Sequence, residues 1–260
     1  MPRSPEPHWW WGGLAPWESP RPMSMVQLIE ARSMDLRLAS VLWQLMERRT
    51  SLVVASMPRL AGKTTVLTAL LDLLAPNVDP VFLHGSMERW DFLKRTAPTT
   101  TYLLAAEISD HLPVYLWGKN VQRLFKMAEE GYGFAGAMHA DSPDQVFQQL
   151  TGEHGVPRES LGRLRAVLTL YCDHTHYPNS VRRSQALDLI SASDDGRPAL
   201  TRVAEWRDGG FAHVPTEKLA AALGGQPDAL TKDLEARANA IQGLLEQGHR
   251  SRENVSNPPK

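Results

Sequence analysis

The chain has 260 residues, with 28 Lys and Arg against 29 Asp and Glu for a net charge of −1, and 42% of its residues are hydrophobic. That length can bury a sizeable core, and the balanced charge gives no bulk electrostatic pull toward nucleic acid. A single cysteine, Cys172, excludes an intramolecular disulfide framework, and no apolar run is long enough to cross a bilayer, so a cytoplasmic chain is expected.

Residues 1–24 are dense in Pro, Trp and Ser, with Trp9, Trp10 and Trp11 in a row. They read as a flexible arm that packs on the domain surface or docks a partner. From Ser24 to Thr50 the apolar spacing predicts two helices, the second carried by Leu36, Leu38, Val41, Leu42, Leu45 and Met46.

Ser51 to Ala75 is the most informative stretch. An apolar strand (Leu52, Val53, Val54) enters a polar loop holding Gly62, Lys63 and Thr64, and a helix leaves it over Val66 to Leu74. Strand, loop and helix form the context of a phosphate-binding loop. Backbone N–H groups and the helix N-terminus cradle phosphate, lysine neutralises it, and the hydroxyl after it holds Mg²⁺. The candidate nucleotide-binding residues are Ala61, Gly62, Lys63, Thr64 and Thr65, with Thr64 the candidate Mg²⁺ ligand. The match to G-x-x-x-x-G-K-[ST] is incomplete, because Met57 stands where the first glycine belongs.

Val81 to Leu83 reads as a short buried strand ending at His84 and Gly85, followed by Glu88 and Arg89 in a loop. Thr101 to Ala106 is a second informative strand, with Glu107 after it. At the carboxyl edge of an α/β sheet, where ligands bind, that carboxylate can orient a water or reach Mg²⁺ through one. Leu116 to Glu129 reads as helix, and Phe134 to Met138 as a third buried strand ending at His139. Ser142, Pro143 and Gln145 then form a capping box for the next helix. Thus three strands end in polar groups: the loop, Glu107 and His139. Glu107 and His139 are the candidate catalytic residues, the histidine as a sensor of the γ-phosphate or of an adjacent subunit.

Ala166 to Tyr171 reads as a fourth strand. Cys172, Asp173, His174 and His176 follow it, but their spacing fits no zinc pattern. Ala186 to Val214 reads as an antiparallel meander turning at Asp194-Asp195-Gly196 and Asp208-Gly209-Gly210. Lys218 to Gln247 is helical. The expected division is an arm (1–24), a phosphate-loop domain (25–215), a helical segment (216–248) and a disordered tail (249–260).

In this order the motifs resemble those of the secretion and pilus-assembly ATPases of type II, type IV and archaeal flagellar systems. The family's G-E-x-R-D looks like Ala106-Glu107-Ile108-Ser109-Asp110. Its T-G-H…G-T-x-H box is similar to Glu130-Gly131-Tyr132 through Gly136-Ala137-Met138-His139. The resemblance runs from about Met25 to Gly248. It implies a RecA-like α/β fold, a mostly parallel central sheet flanked by helices with a C-terminal antiparallel meander and helix. It also implies ATP and Mg²⁺ as cofactors, a homo-hexamer or a ring shared with a related ATPase, and a platform protein of the inner membrane as partner. The chain would then lie in the cytoplasm, with a peripheral place at the inner face of the membrane.

The departures are Met57 and Pro58-Arg59-Leu60-Ala61 in the loop, Ser109 for the family arginine, and Tyr132 for the first histidine of the box. Only Glu88 remains of the family's acidic loop. They keep two alternatives in view: a relative that binds nucleotide or assembles without hydrolysing ATP, and a small-molecule phosphotransferase.

Overall fold

The computed structural model describes residues 23–175, 180–192 and 198–249. Residues 1–22 of the tryptophan arm, residues 250–260 of the tail, His176 and the turn at Asp194-Asp195-Gly196 lie outside the described residues.

Helix α1 (Met25–Glu30) starts in a capping box. Ser24 Oγ accepts from the Gln27 N–H at 3.2 Å, and Gln27 Oε1 accepts from the Ser24 N–H at 2.9 Å. Helix α2 (Leu36–Glu47) is capped by Asp35, which accepts from the Leu38 N–H at 2.8 Å.

Five parallel strands follow: β1 (Leu52–Ala55), β2 (Asp79–Phe82), β3 (Thr101–Ala105), β4 (Gly133–Met138) and β5 (Ala166–Asp173). Their crossovers carry α3 (Lys63–Leu71), α4 (Lys119–Glu129) and α5 (Pro143–Gln148). Antiparallel β6 (Val181–Ala192), β7 (Pro198–Arg207) and β8 (Gly210–His213) extend the sheet in the order β2-β3-β4-β1-β5-β6-β7-β8. This is the α/β arrangement expected from the sequence, with its mostly parallel core and closing meander.

Parallel strands buried on both faces read as continuous apolar runs, and alternate residues serve opposite layers. Leu52, Val54, Tyr102, Leu104, Ala135 and Ala137 pack on the side of α1, α2 and α3. Val53, Ala55, Leu103, Ala105, Phe134 and Met138 pack on the side of α4 and α5. Helices α6 (Thr216–Leu223) and α7 (Pro227–Glu246) close the first layer. There α7 is bound to α2 by Gln44 Nε2 donating to Asp233 at 2.9 Å and Arg237 donating to Glu47 at 2.6 Å.

Several boundaries differ from the sequence reading. Strand β2 begins at Asp79 and is half-exposed rather than buried, because it is the sheet's edge and only β3 covers it. Helix α4 starts at Lys119, since Leu116 is held in a bridge to Ile108 and Gly118 turns the chain at φ +54°. Strand β6 begins at Val181, ahead of the apolar run. Ser142 does accept from the Gln145 N–H, at 3.4 Å, but Gln145 Oε1 reaches one residue further back, to the Asp141 N–H at 3.1 Å, so the box is only half formed.

Candidate functional site

β1, β4 and β3 are adjacent, and their carboxyl ends open on one edge. There the order of strands switches direction, the place where α/β sheets form a crevice. The loop from Met57 to Gly62 leaves β1 at this edge. Gly62 sits at φ +94° as the N-cap of α3, a conformation glycine adopts without a Cβ clash, and no side chain caps the helix behind it. The first N–H groups of α3 therefore point outward from a helix N-terminus with its partial positive charge. Ala61 is buried, while Thr64 and Thr65 are half-buried on the first turn.

Lys63 is 7% exposed, and its Nζ donates to the Ser56 carbonyl at 3.1 Å. His139, directly after β4, places Nδ1 3.0 Å from the Met57 carbonyl and 3.4 Å from Lys63 Nζ. A carbonyl only accepts, so the 3.0 Å contact puts a hydrogen on Nδ1. Lys63, already bonded to Ser56, is then a charged neighbour of the ring rather than a donor to it. The other nitrogen, Nε2, lies 3.5 Å from Glu107 Oε2. Glu107 follows β3, and Ser109 Oγ donates to its Oε1 at 2.8 Å. The three strand-end groups singled out in the sequence thus form one contact chain, Glu107–His139–Lys63.

Burial pushes the Lys63 ammonium below the ordinary lysine value, partly opposed by the charge of Glu107. Burial would raise Glu107, but its contact with the His139 ring, the hydrogen bond from Ser109 and the charge of Lys63 outweigh it, and its carboxyl is held below the usual range. The pair favours a carboxylate facing an ammonium that has little water. Such an arrangement can neutralise an anion at the helix N-terminus while keeping a base beside it.

Met57 is not among the residues with positive φ, so no left-handed backbone calls for glycine there. The left-handed non-glycine residue of the loop is Leu60, at φ +58° and 71% exposed. Ser109 positions Glu107 through its hydroxyl. Tyr132 is buried and directs its hydroxyl to Thr96, away from the contact chain. Glu88 spends both oxygens on its own loop, accepting from the His84 and Trp90 N–H groups at 2.7 Å each.

Three residues of the site were not read from the sequence as part of it. Arg182, at the start of β6, donates through Nε to the Leu60 carbonyl at 2.7 Å, and its Cδ is the nearest atom to the face of Gly62. His174 Nε2 lies 2.8 Å from the Arg59 carbonyl. His111 lies beside Glu107, Nδ1 to Oε1 at 3.7 Å. None belongs to a local motif; only the hairpin of β5 and β6 brings the first two over the loop.

No family model matches this chain, and no curated protein matches it. Solved structures align with it in part. One is the VirB11 ATPase of the Brucella suis type IV secretion system in complex with sulphate, at 19% identity and a TM-score of 0.43, over 67% of this chain and 56% of that one. Another is the Legionella pneumophila ATPase DotB, at 14% identity and a TM-score of 0.35, over 82% of this chain and 61% of that one. Both are ATPases. The chain spans less than two thirds of the length of either.

Proposed function

We propose that the chain is an ATP-binding motor domain of the secretion and pilus-assembly ATPase type that hydrolyses ATP. One observation carries this reading: Lys63, Glu107 and His139, from three adjacent strand ends, meet at the uncapped N-terminus of α3. The site fits a Mg-nucleotide on its own features. Gly62 opens the helix at positive φ, a buried ammonium stands at its first position, and a carboxylate faces that ammonium.

Mg-ATP, when bound, supplies the phosphoryl group to be transferred and the divalent charge that offsets its oxygens. Ala61 to Thr65 bind phosphate through their N–H groups, and Lys63 exchanges its bond to Ser56 for phosphate oxygen. Thr64 would ligate Mg²⁺ through its hydroxyl, and Glu107 would act on it through water. Glu107 accepts a proton from the attacking water, and His139 links that carboxylate to the Met57 carbonyl of the loop. Closure of neighbouring subunits in a hexamer or mixed ring, on a platform protein at the inner face of the membrane, belongs to the same proposal. No helix of the described residues is long and apolar enough to cross a membrane.

Titrating the purified chain with Mg-ATP, and following phosphate release in the same samples, tests this reading. Binding that is lost in Lys63→Ala, and turnover that is lost in Glu107→Gln with binding kept, are the expected results. Unchanged binding and turnover in both variants would falsify the site assignment. Ser109, which turns its hydroxyl to Glu107 where the resembled family has a cation, favours a second reading in which nucleotide is bound without turnover. Tight Mg-ATP binding with no phosphate release in the unaltered chain would establish that second reading.

A further inference from the structure

His111 has no part in the nucleotide reading, yet it completes a group of three with Glu107 and His139. Their ligand atoms all lie within 4.8 Å of one another. Each oxygen of Glu107 faces one imidazole: Oε2 stands 3.5 Å from His139 Nε2, and Oε1 stands 3.7 Å from His111 Nδ1. A tetrahedral ion with bonds of about 2.0–2.2 Å sets its ligand atoms roughly 3.4 Å apart. Each imidazole is already about that far from its own carboxylate oxygen, and with one atom taken from each residue the set needs only to contract from within 4.8 Å. His111, its side chain 54% exposed and its Nε2 3.9 Å from the Asp110 carboxylate, has room to close the remaining distance to His139.

The surroundings are those of a ligand set. Metal-bound histidines usually donate their second N–H to a carbonyl or carboxylate, which fixes the tautomer and aims the other lone pair at the ion. His139 meets that condition through Nδ1 and the Met57 carbonyl at 3.0 Å. In the neutral ring this turns the bare Nε2 toward an anionic oxygen, an arrangement that a shared cation stabilises. Gln149 Nε2 donates to the His139 carbonyl at 2.7 Å, holding the backbone behind the ring, and Ser109 orients Glu107.

We propose that Glu107, His111 and His139 bind a divalent d-block cation of the Zn²⁺ class, with a fourth position open toward the phosphate loop. Two imidazoles and one carboxylate suit Zn²⁺ and Co²⁺, whereas Mg²⁺ and Ca²⁺ take oxygen ligands. Metal binding itself is independent of the nucleotide site, with which it shares two residues, whereas its effect on the domain rests on the role proposed for Glu107. Its ion withdraws Glu107 from work on water, so metal binding is a means of silencing the domain.

The test is calorimetric titration of the full nucleotide-free chain with ZnCl₂ near neutral pH, and with CoCl₂ followed by visible absorption. One Zn²⁺ per chain and a Co²⁺ ligand-field spectrum of four or five ligands are expected. His111→Ala weakens Zn²⁺ at least about tenfold, as loss of a ligand does, and leaves the thermal midpoint in place because the side chain is exposed. Cys172→Ser, which probes a competing site at Cys172 and His174 where Sγ and Nε2 are 3.4 Å apart, leaves the affinity unchanged. Absence of saturable one-to-one binding overturns the proposal. So does equal affinity in His111→Ala, or loss of binding in Cys172→Ser. Because no nucleotide is present, failure here leaves the ATP titration a separate question.

Discussion

Glu107 and His139 meet across the ends of neighbouring strands, Oε2 to Nε2 at 3.5 Å, while the other nitrogen of the same ring sits 3.0 Å from the Met57 carbonyl. One imidazole therefore ties the proposed base to the proposed phosphate loop. A ligand that displaces Lys63 from Ser56 acts on a network that already includes Glu107. Chemistry and loop position are linked through contact rather than through distant elements.

The roles proposed for Lys63 and Glu107 predict different losses. Lys63→Ala removes a charge-assisted contact worth about 1.5–3 kcal/mol, so Mg-ATP affinity falls between about tenfold and a hundredfold or more. Glu107→Gln keeps the shape and loses the base, so turnover falls at least about a hundredfold with affinity nearly unchanged. Equilibrium binding and single-turnover phosphate release, read on each variant, separate the two. Equal effects of both substitutions on both quantities would count against the division of labour.

The loop makes a prediction opposite to the one its motif suggests. Met57 replaces the motif's glycine but adopts no left-handed conformation, whereas Leu60 does, at φ +58°. A left-handed non-glycine residue costs about 1–2 kcal/mol, and glycine in ordinary backbone costs roughly 0.5–1 kcal/mol of unfolded-state entropy. Leu60→Gly is expected to stabilise the domain by about 0.5–1 kcal/mol, and Met57→Gly to destabilise it by a similar amount. Urea unfolding of the two variants decides; a reversed order means that the strain at Leu60 is relieved elsewhere.

β1, β3 and β4 were legible because buried parallel strands are short apolar runs, and a run that stops at Glu107 or His139 marks its own carboxyl end. What stayed hidden has identifiable causes. β2 is a half-exposed edge, so its first residues, Asp79 and Pro80, carry no apolar signal. Val181, Arg182 and Arg183 open β6 without an apolar run because two of them are exposed and the third is half-buried. His111 lies outside any regular element, and Arg182 reaches a carbonyl 122 residues away in the chain. Such contacts are set by strand pairing, which local spacing does not encode.

Arg182 acts on the loop through backbone, and that gives it a measurable signature. Its Nε–H bond to the Leu60 carbonyl is 2.7 Å long, and the residue is exposed, so the fold does not depend on it. Arg182→Ala is expected to weaken Mg-ATP binding by about three- to tenfold, the worth of one hydrogen bond, with the thermal midpoint unchanged. An unchanged dissociation constant would remove Arg182 from the site. A lowered midpoint with unchanged binding would make its role structural.

His154 supplies the clearest dependence on pH. It is 2% exposed, its Nδ1 accepts from the Gly118 N–H at 3.3 Å, and its ring meets Trp117 edge-on at 4.5 Å. Burial holds its pKa down to about 4 from an ordinary value of 6.5, against a smaller upward pull from Asp110. The unfolded chain therefore takes up a proton below pH 6.5 that the folded chain refuses until about pH 4. Stability from this group is full above pH 6.5 and drains away between those two values at about 1.4 kcal/mol per pH unit, some 3 kcal/mol in all. Glu107, held below the carboxylate range, contributes stability that is lost at lower pH still, as its own carboxyl protonates. His154→Asn keeps an acceptor for Gly118 and has no proton to gain, so its urea midpoints should lie nearly level between pH 6.5 and 5 while those of the unaltered chain fall. Parallel curves would mean that His154 is not the group that titrates.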